Sequence, residues 1–125
     1  MLRMSGLVIL TFALLLPGLS VYAAEAPDLT GRYTCVGTNP GGGTYRGTVS
    51  ITKKGELYLL TWTISPRETY KGLGIVQDNV LAVSFYSRFT GVVAYKIEQG
   101  AKKLVGKWAV ADGPAKAFPE TLTRQ

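Results

Sequence analysis

Between Thr44 and Thr52 the side chains alternate, with Tyr45, Gly47, Val49 and Ile51 on one side of an extended chain and Thr44, Arg46, Thr48, Ser50 and Thr52 on the other. A period of two is the spacing of a β-strand with one dry face and one wet face. The same alternation returns where Val93, Tyr95 and Ile97 interleave with Ala94, Lys96 and Glu98. Such strands suit an antiparallel sheet that meets solvent on one side only.

From Leu29 onward, runs rich in Val, Ile, Thr, Tyr and Leu are separated by Gly, Asn, Asp, Pro or Lys clusters, and no stretch has the length and period of an amphipathic helix. The pattern predicts eight strands: Gly31 to Val36, Thr44 to Thr52, Leu57 to Ile64, Thr69 to Val76, Val80 to Ser87, Gly91 to Gln99, Leu104 to Ala111 and Glu120 to Arg124. Lys53 to Glu56, Gln77 to Asn79 and Gln99-Gly100 are short links with residues that accept positive φ, so consecutive strands pair as hairpins. The expected fold is all-β, an eight-stranded antiparallel up-and-down meander closed into a barrel, since closure removes exposed strand edges. Gly47, Gly72 and Gly106 interrupt β runs where a barrel needs a tight bend or a close backbone approach. A weak echo, Thr44-Tyr-Arg-Gly47 against Thr69-Tyr-Lys-Gly72, is too loose to define a repeat protein.

Ahead of these strands, Arg3 precedes an uncharged apolar run from Gly6 to Leu16, then Pro17-Gly18, then Val21-Tyr22-Ala23. This order predicts a signal peptide over 1–23, cleaved after Ala23, and a single domain over 24–125 that is secreted or periplasmic. The apolar run is shorter than the roughly 20 residues that span a bilayer, so no membrane span is expected after cleavage. Without Arg3, thirteen Lys and Arg face eight acids, a formal charge of +5 that favours acidic partners in general. Cys35 is the only cysteine, so no internal disulfide forms, and a buried, inert thiol is expected. It lies too far beyond the apolar run to be a lipoprotein cysteine.

Histidine is absent, which removes the usual general base and the commonest transition-metal ligand. No motif marks Ser50, Ser65, Ser84 or Ser87 as a nucleophile. The acids Glu25, Asp28, Glu56, Glu68, Asp78, Glu98, Asp112 and Glu120 fall mostly in expected turns, where none is set up as a general acid. The glycine-rich Asn39 to Gly43 segment leads into a strand rather than a helix, so it reads as a hairpin turn first, and second as a lid at a barrel mouth, rather than as a phosphate loop. The basic pairs Lys53-Lys54 and Lys102-Lys103 fall in expected turns, so nucleic acid is not an expected partner. No catalytic residue, metal site or cofactor is assigned.

The aromatic residues are the more suggestive set. Tyr33, Tyr45, Trp62, Tyr70, Tyr95 and Trp108 are the candidate ligand-binding residues. Trp62 and Trp108 sit at strand centres and could line a cavity, although side chains filling the interior are the default for eight strands.

The segments Gly31-Arg-Tyr33, Asn39 to Gly47, Leu59-Leu-Thr-Trp62, Gly91 to Tyr95, Leu104-Val-Gly106-Lys-Trp108 and Glu120 to Arg124 together resemble a family of small secreted bacterial proteins often labelled fibronectin-binding. More distantly, the meander is similar to the avidin and lipocalin barrels, in which a Gly-x-Trp on the first strand packs near an Arg on the last. Gly31-x-Tyr33 and Arg124 would take those places, and only the architecture carries over.

The leading expectation is an exported, non-enzymatic binding protein for an extracellular-matrix or host protein, with fibronectin as its most specific form. Two alternatives stand beside it: a lipocalin-like carrier of a small apolar ligand, and a periplasmic inhibitor offering Asn39 to Gly43 or Asp112 to Pro119 as its loop.

Overall fold

Strands that are dry on one face and wet on the other satisfy both faces at once by rolling around a shared interior. In the computed structural model of this chain, which describes residues 27–125 together with Thr11, Ala13 and Gly18, they do so completely. The eight strands are β1 (Gly31–Thr38), β2 (Thr44–Lys54), β3 (Leu57–Ser65), β4 (Glu68–Gln77), β5 (Val80–Tyr86), β6 (Gly91–Glu98), β7 (Lys103–Val110) and β8 (Phe118–Arg124). Each pairs antiparallel with its neighbours in sequence, and β1 pairs with β8 from Tyr33↔Arg124 to Gly37↔Glu120, closing the barrel in up-and-down order. The expected leader over 1–23 lies outside the described residues apart from three isolated positions. Among the described residues no helix is long and apolar enough to cross a membrane.

The observed strand ends fall within two residues of the expected ones. The last strand begins at Phe118 rather than Glu120, because Pro119 is accommodated in the ladder opposite Lys107. Proline donates no backbone hydrogen bond, which is why it reads as a strand boundary in sequence. The link after β6 is a 3₁₀ turn, Gln99–Ala101, rather than a plain hairpin, and it carries Ala101 into the core.

The barrel has two unlike ends. Residues 27–30 and the links after β2, β4 and β6 gather at one end, which is sealed by Leu29, Tyr33, Ile51, Leu81, Ala101, Leu104 and Leu122. Burying each larger aliphatic side chain there contributes roughly 1.5–3 kcal/mol. The Tyr33 hydroxyl donates to the Leu29 carbonyl at 2.7 Å. The Arg124 guanidinium lies 5.0 Å from the Tyr33 ring centroid and donates to the carbonyls of Thr30 (2.7 Å), Asp28 (2.9 Å) and Ala101 (3.2 Å). Tyr33 and Arg124 thus meet as the barrel resemblance implies, and the chain enters and leaves the barrel at this same end. Gln125 N–H donates to the Arg32 carbonyl at 2.9 Å.

The opposite end is ringed by the connections 39–43, 66–67, 87–90 and 111–117, three of which are four residues or longer. The Asn39 to Gly43 segment is a hairpin turn, with Gly42 N–H bonded to the Asn39 carbonyl and Asn39 N–H to the Gly43 carbonyl, both at 3.0 Å. Gly42 and Gly43 both have positive φ there.

Candidate functional site

At the ringed end the interior is not filled. A cavity of about 380 Å³ opens between the loops, lined by Asn39, Pro40, Tyr45, Trp62, Ile64, Glu68, Tyr70, Phe85, Phe89, Val93, Trp108, Val110 and Glu120. The default of a filled interior therefore describes only the sealed half. The walls of this space are built from rings that meet edge to face, at 6.1 Å for Trp62–Phe85, 6.5 Å for Tyr70–Phe85 and 6.4 Å for Phe85–Trp108. Edge-to-face contact is a favoured geometry for ring quadrupoles.

Below this space sits one transverse row of residues. The register places Tyr45 opposite Gly37, Gly37 opposite Glu120, Glu120 opposite Gly106 and Gly106 opposite Tyr95, so five consecutive positions cross β2, β1, β8, β7 and β6. Glu120 faces the interior because it is in phase with Phe118 and Leu122 on β8. The two glycines beside it are what let the tyrosines reach it. A Cβ on Gly37 would overlap the Tyr45 ring, and one on Gly106 would come within 2.5 Å of the Tyr95 ring.

Each tyrosine lies across its glycine to meet the carboxyl group. Tyr45 Oη donates to Glu120 Oε1 at 2.7 Å, Tyr95 Oη donates to Oε2, and Trp62 Nε1 donates to Oε2 at 3.2 Å. Glu120 is only 5% exposed and has no cationic partner among the described residues. A buried carboxylate is tolerated when hydrogen bonds satisfy it, and three donors do so here. Burial first, and then the charge of Glu120, push the Tyr45 and Tyr95 hydroxyls far above the ordinary phenol range. The Cys35 thiol is driven up by the same two causes, which fits a buried and unreactive cysteine. Trp108 Nε1 is buried and has no hydrogen-bond partner among the described residues.

Four of the six candidate residues, Tyr45, Trp62, Tyr70 and Trp108, line the cavity. Tyr33 does not, because it sits in the sealed floor with its hydroxyl committed to Leu29. Tyr95 is fully buried beneath the cavity and meets its lining through Glu120 and through Trp62, whose Nε1 also donates to the Tyr95 hydroxyl at 3.3 Å. Glu120 itself, grouped in the sequence with acids that are not set up for chemistry and absent from the candidate binding residues, is the most consequential residue of the site that the sequence does not single out. Its phase with Phe118 and Leu122 was the available signal, hidden by Pro119 between them. Glu68 is the second acid on the lining, exposed at the rim on the first residue of β4. No group of three potential metal ligands occurs among the described residues.

No protein-family model matches the chain and no curated protein matches it, so the fibronectin-binding resemblance gains no support there. Solved structures do match. A redesigned β-barrel superposes with a TM-score of 0.66 at 18% identity, covering 78% of this chain and 91% of the other. The redesigned barrel mFAP1, bound to DFHBI, gives 0.62 at 20% identity, covering 77% and 94%. A de novo designed fluorescence-activating β-barrel gives 0.54 at 14% identity, covering 77% and 93%. At these identities the likeness is one of fold.

Proposed function

We propose that this chain is a non-enzymatic binding barrel that takes one small, largely apolar molecule into the cavity at its ringed end. The observation that carries the reading is the unfilled half itself: about 380 Å³ walled chiefly by aromatic rings, with polar groups confined to a few positions. Small-molecule sites have this character, in a range of roughly 300–1,000 Å³ with few polar groups fixing orientation. A barrel of this fold that holds DFHBI supports the idea that the architecture accommodates a ligand. The hydrogen bonds that occupy Glu120 suit holding a charge in place rather than shuttling a proton, which favours binding over catalysis. Export with loss of residues 1–23 belongs to the same proposal, and the mass of the protein recovered from outside the cytoplasm tests it.

Native mass spectrometry of the purified protein, with organic extraction of whatever travels with it, tests the binding reading. The expected result is a bound species of small mass, lost in Val110→Phe, which places a ring in the cavity. A cavity that excludes every small apolar probe in solution would overturn it.

A second reading keeps a protein partner, and one observation favours it. Leu59 and Leu73 pair on the outer face of β3 and β4, and Ile75 (51% exposed) follows Leu73 on the same face of β4, an apolar surface outside the barrel. Binding of immobilised fibronectin, compared between the native protein and a Leu73→Lys, Ile75→Lys variant, tests this reading.

A further inference from the structure

We infer that the cavity selects an organic cation: a protonated amine or quaternary ammonium on an apolar body, with its charge seated beside Glu120. This deepens the binding reading above and rests on it. The cavity lining contains two acids, Glu68 and Glu120, and no lysine or arginine, although the whole chain carries a formal charge of +6. Arg67, Arg88 and Lys116 stand on the surrounding loops, exposed to solvent, and none of them lines the cavity. A charge in contact with water is screened within about 8 Å at physiological ionic strength, whereas a buried one is screened far less. Glu120 therefore sets the sign of the potential inside the cavity, against the sign of the protein as a whole.

Two further features point the same way. The Glu120 carboxylate is on the cavity lining while Tyr45, Trp62 and Tyr95 hold it in place, with the Cys35 thiol a weaker donor beside it, so a cationic group entering the cavity meets an oriented acceptor. The walls above it present Tyr45, Trp62, Tyr70, Phe85 and Trp108. Ring faces attract cations through their quadrupole, and cages of such rings hold ammonium groups. The raised Tyr45 and Tyr95 hydroxyls keep their protons, so they act as donors towards Glu120. An anionic head group would face this charge with no basic side chain on the lining to offset it.

The test compares three probes of one shape and different charge, phenethylamine, 2-phenylethanol and phenylacetate, followed by the fluorescence of Trp62 and Trp108 at neutral pH and physiological ionic strength. Phenethylamine is expected to bind at least tenfold more tightly than 2-phenylethanol, with phenylacetate weakest. Non-specific attraction to a basic protein gives the reverse order for the two ions, so the ranking is diagnostic. In Glu120→Gln, which keeps the side chain's shape, the preference for the amine is expected to collapse to within about twofold. If that variant fails to fold, the ranking in the native protein decides alone. Equal or tighter binding of 2-phenylethanol or phenylacetate overturns the cation assignment and leaves the cavity reading intact. No binding by any of the three, nor by a neutral naphthalene dye, overturns both.

Discussion

The sealed and ringed halves of this barrel are made from the same eight strands, yet they are packed on different principles. The floor is aliphatic and complete: Leu29, Leu81, Leu104 and Leu122 are fully buried, and the polar groups there end on backbone carbonyls. The upper half is aromatic, open, and organised around one acid whose partners are all side chains. Close packing makes the floor sensitive to the loss of a few methyl groups, while an existing cavity absorbs changes in volume. The lesson is a division of labour, in which the floor holds the barrel shut and the upper half is free to hold something else.

The sharpest way to break this comparison is Leu104→Ala in the floor, which is expected to destabilise the fold by about 3 kcal/mol within the ~2–5 range for such changes. Urea unfolding at neutral pH measures it. A loss below about 1 kcal/mol would mean that the floor is no better packed than the cavity walls. Alkaline pH comes next. Cys35 and Tyr95 are held protonated in the folded state well above their ordinary values of 9.0 and 10.0, chiefly by burial. Below pH 9 both states keep these protons and stability is unaffected. Above it the unfolded chain releases them first, so stability falls by up to about 1.4 kcal/mol per pH unit for each group. A loss of about 2–3 kcal/mol by pH 10.5 is expected, read from urea midpoints, and a flat profile would place both groups in contact with solvent.

Glu120→Leu should cost about 2 kcal/mol, because Tyr45 and Tyr95 lose their acceptor while relief from burying a charge offsets part of the loss. Thermal melts check this, and an unchanged melt would show that the row does not depend on its acid. The smallest effect on stability belongs to Val110→Phe, expected within about 1 kcal/mol because the ring enters open space. The same substitution should weaken ligand binding at least tenfold, so it separates the two halves within one variant.

The strands were legible because alternation survives in any barrel of this kind: Val49, Ile51, Val93 and Ile97 point inward as the pattern requires. The site was legible only in part. Tyr33 and Tyr45 look alike in sequence, yet one seals the floor and the other bounds the cavity, since height along the barrel follows from strand register and not from residue type. Glu120 was hidden by its neighbour Pro119, which breaks the appearance of a strand without breaking the strand. The cavity is lined by side chains from many separate strands and loops, and no count of aromatics along a chain reports which of them share one level of the barrel.

Both ends of the barrel's chain meet at the floor, with Gln125 bonded beside Arg32 and the Arg124 side chain tied to Asp28 and Thr30. A tether attached before β1 or after β8 would therefore hold the molecule by its base and present the ringed end outward. Immobilised through either terminus, on a bead or at a cell surface, the barrel would stand like a cup on a shelf, with its opening towards the medium. Joining the two termini and reopening the chain in the 111–117 connection should preserve the barrel, because every strand would keep its neighbours.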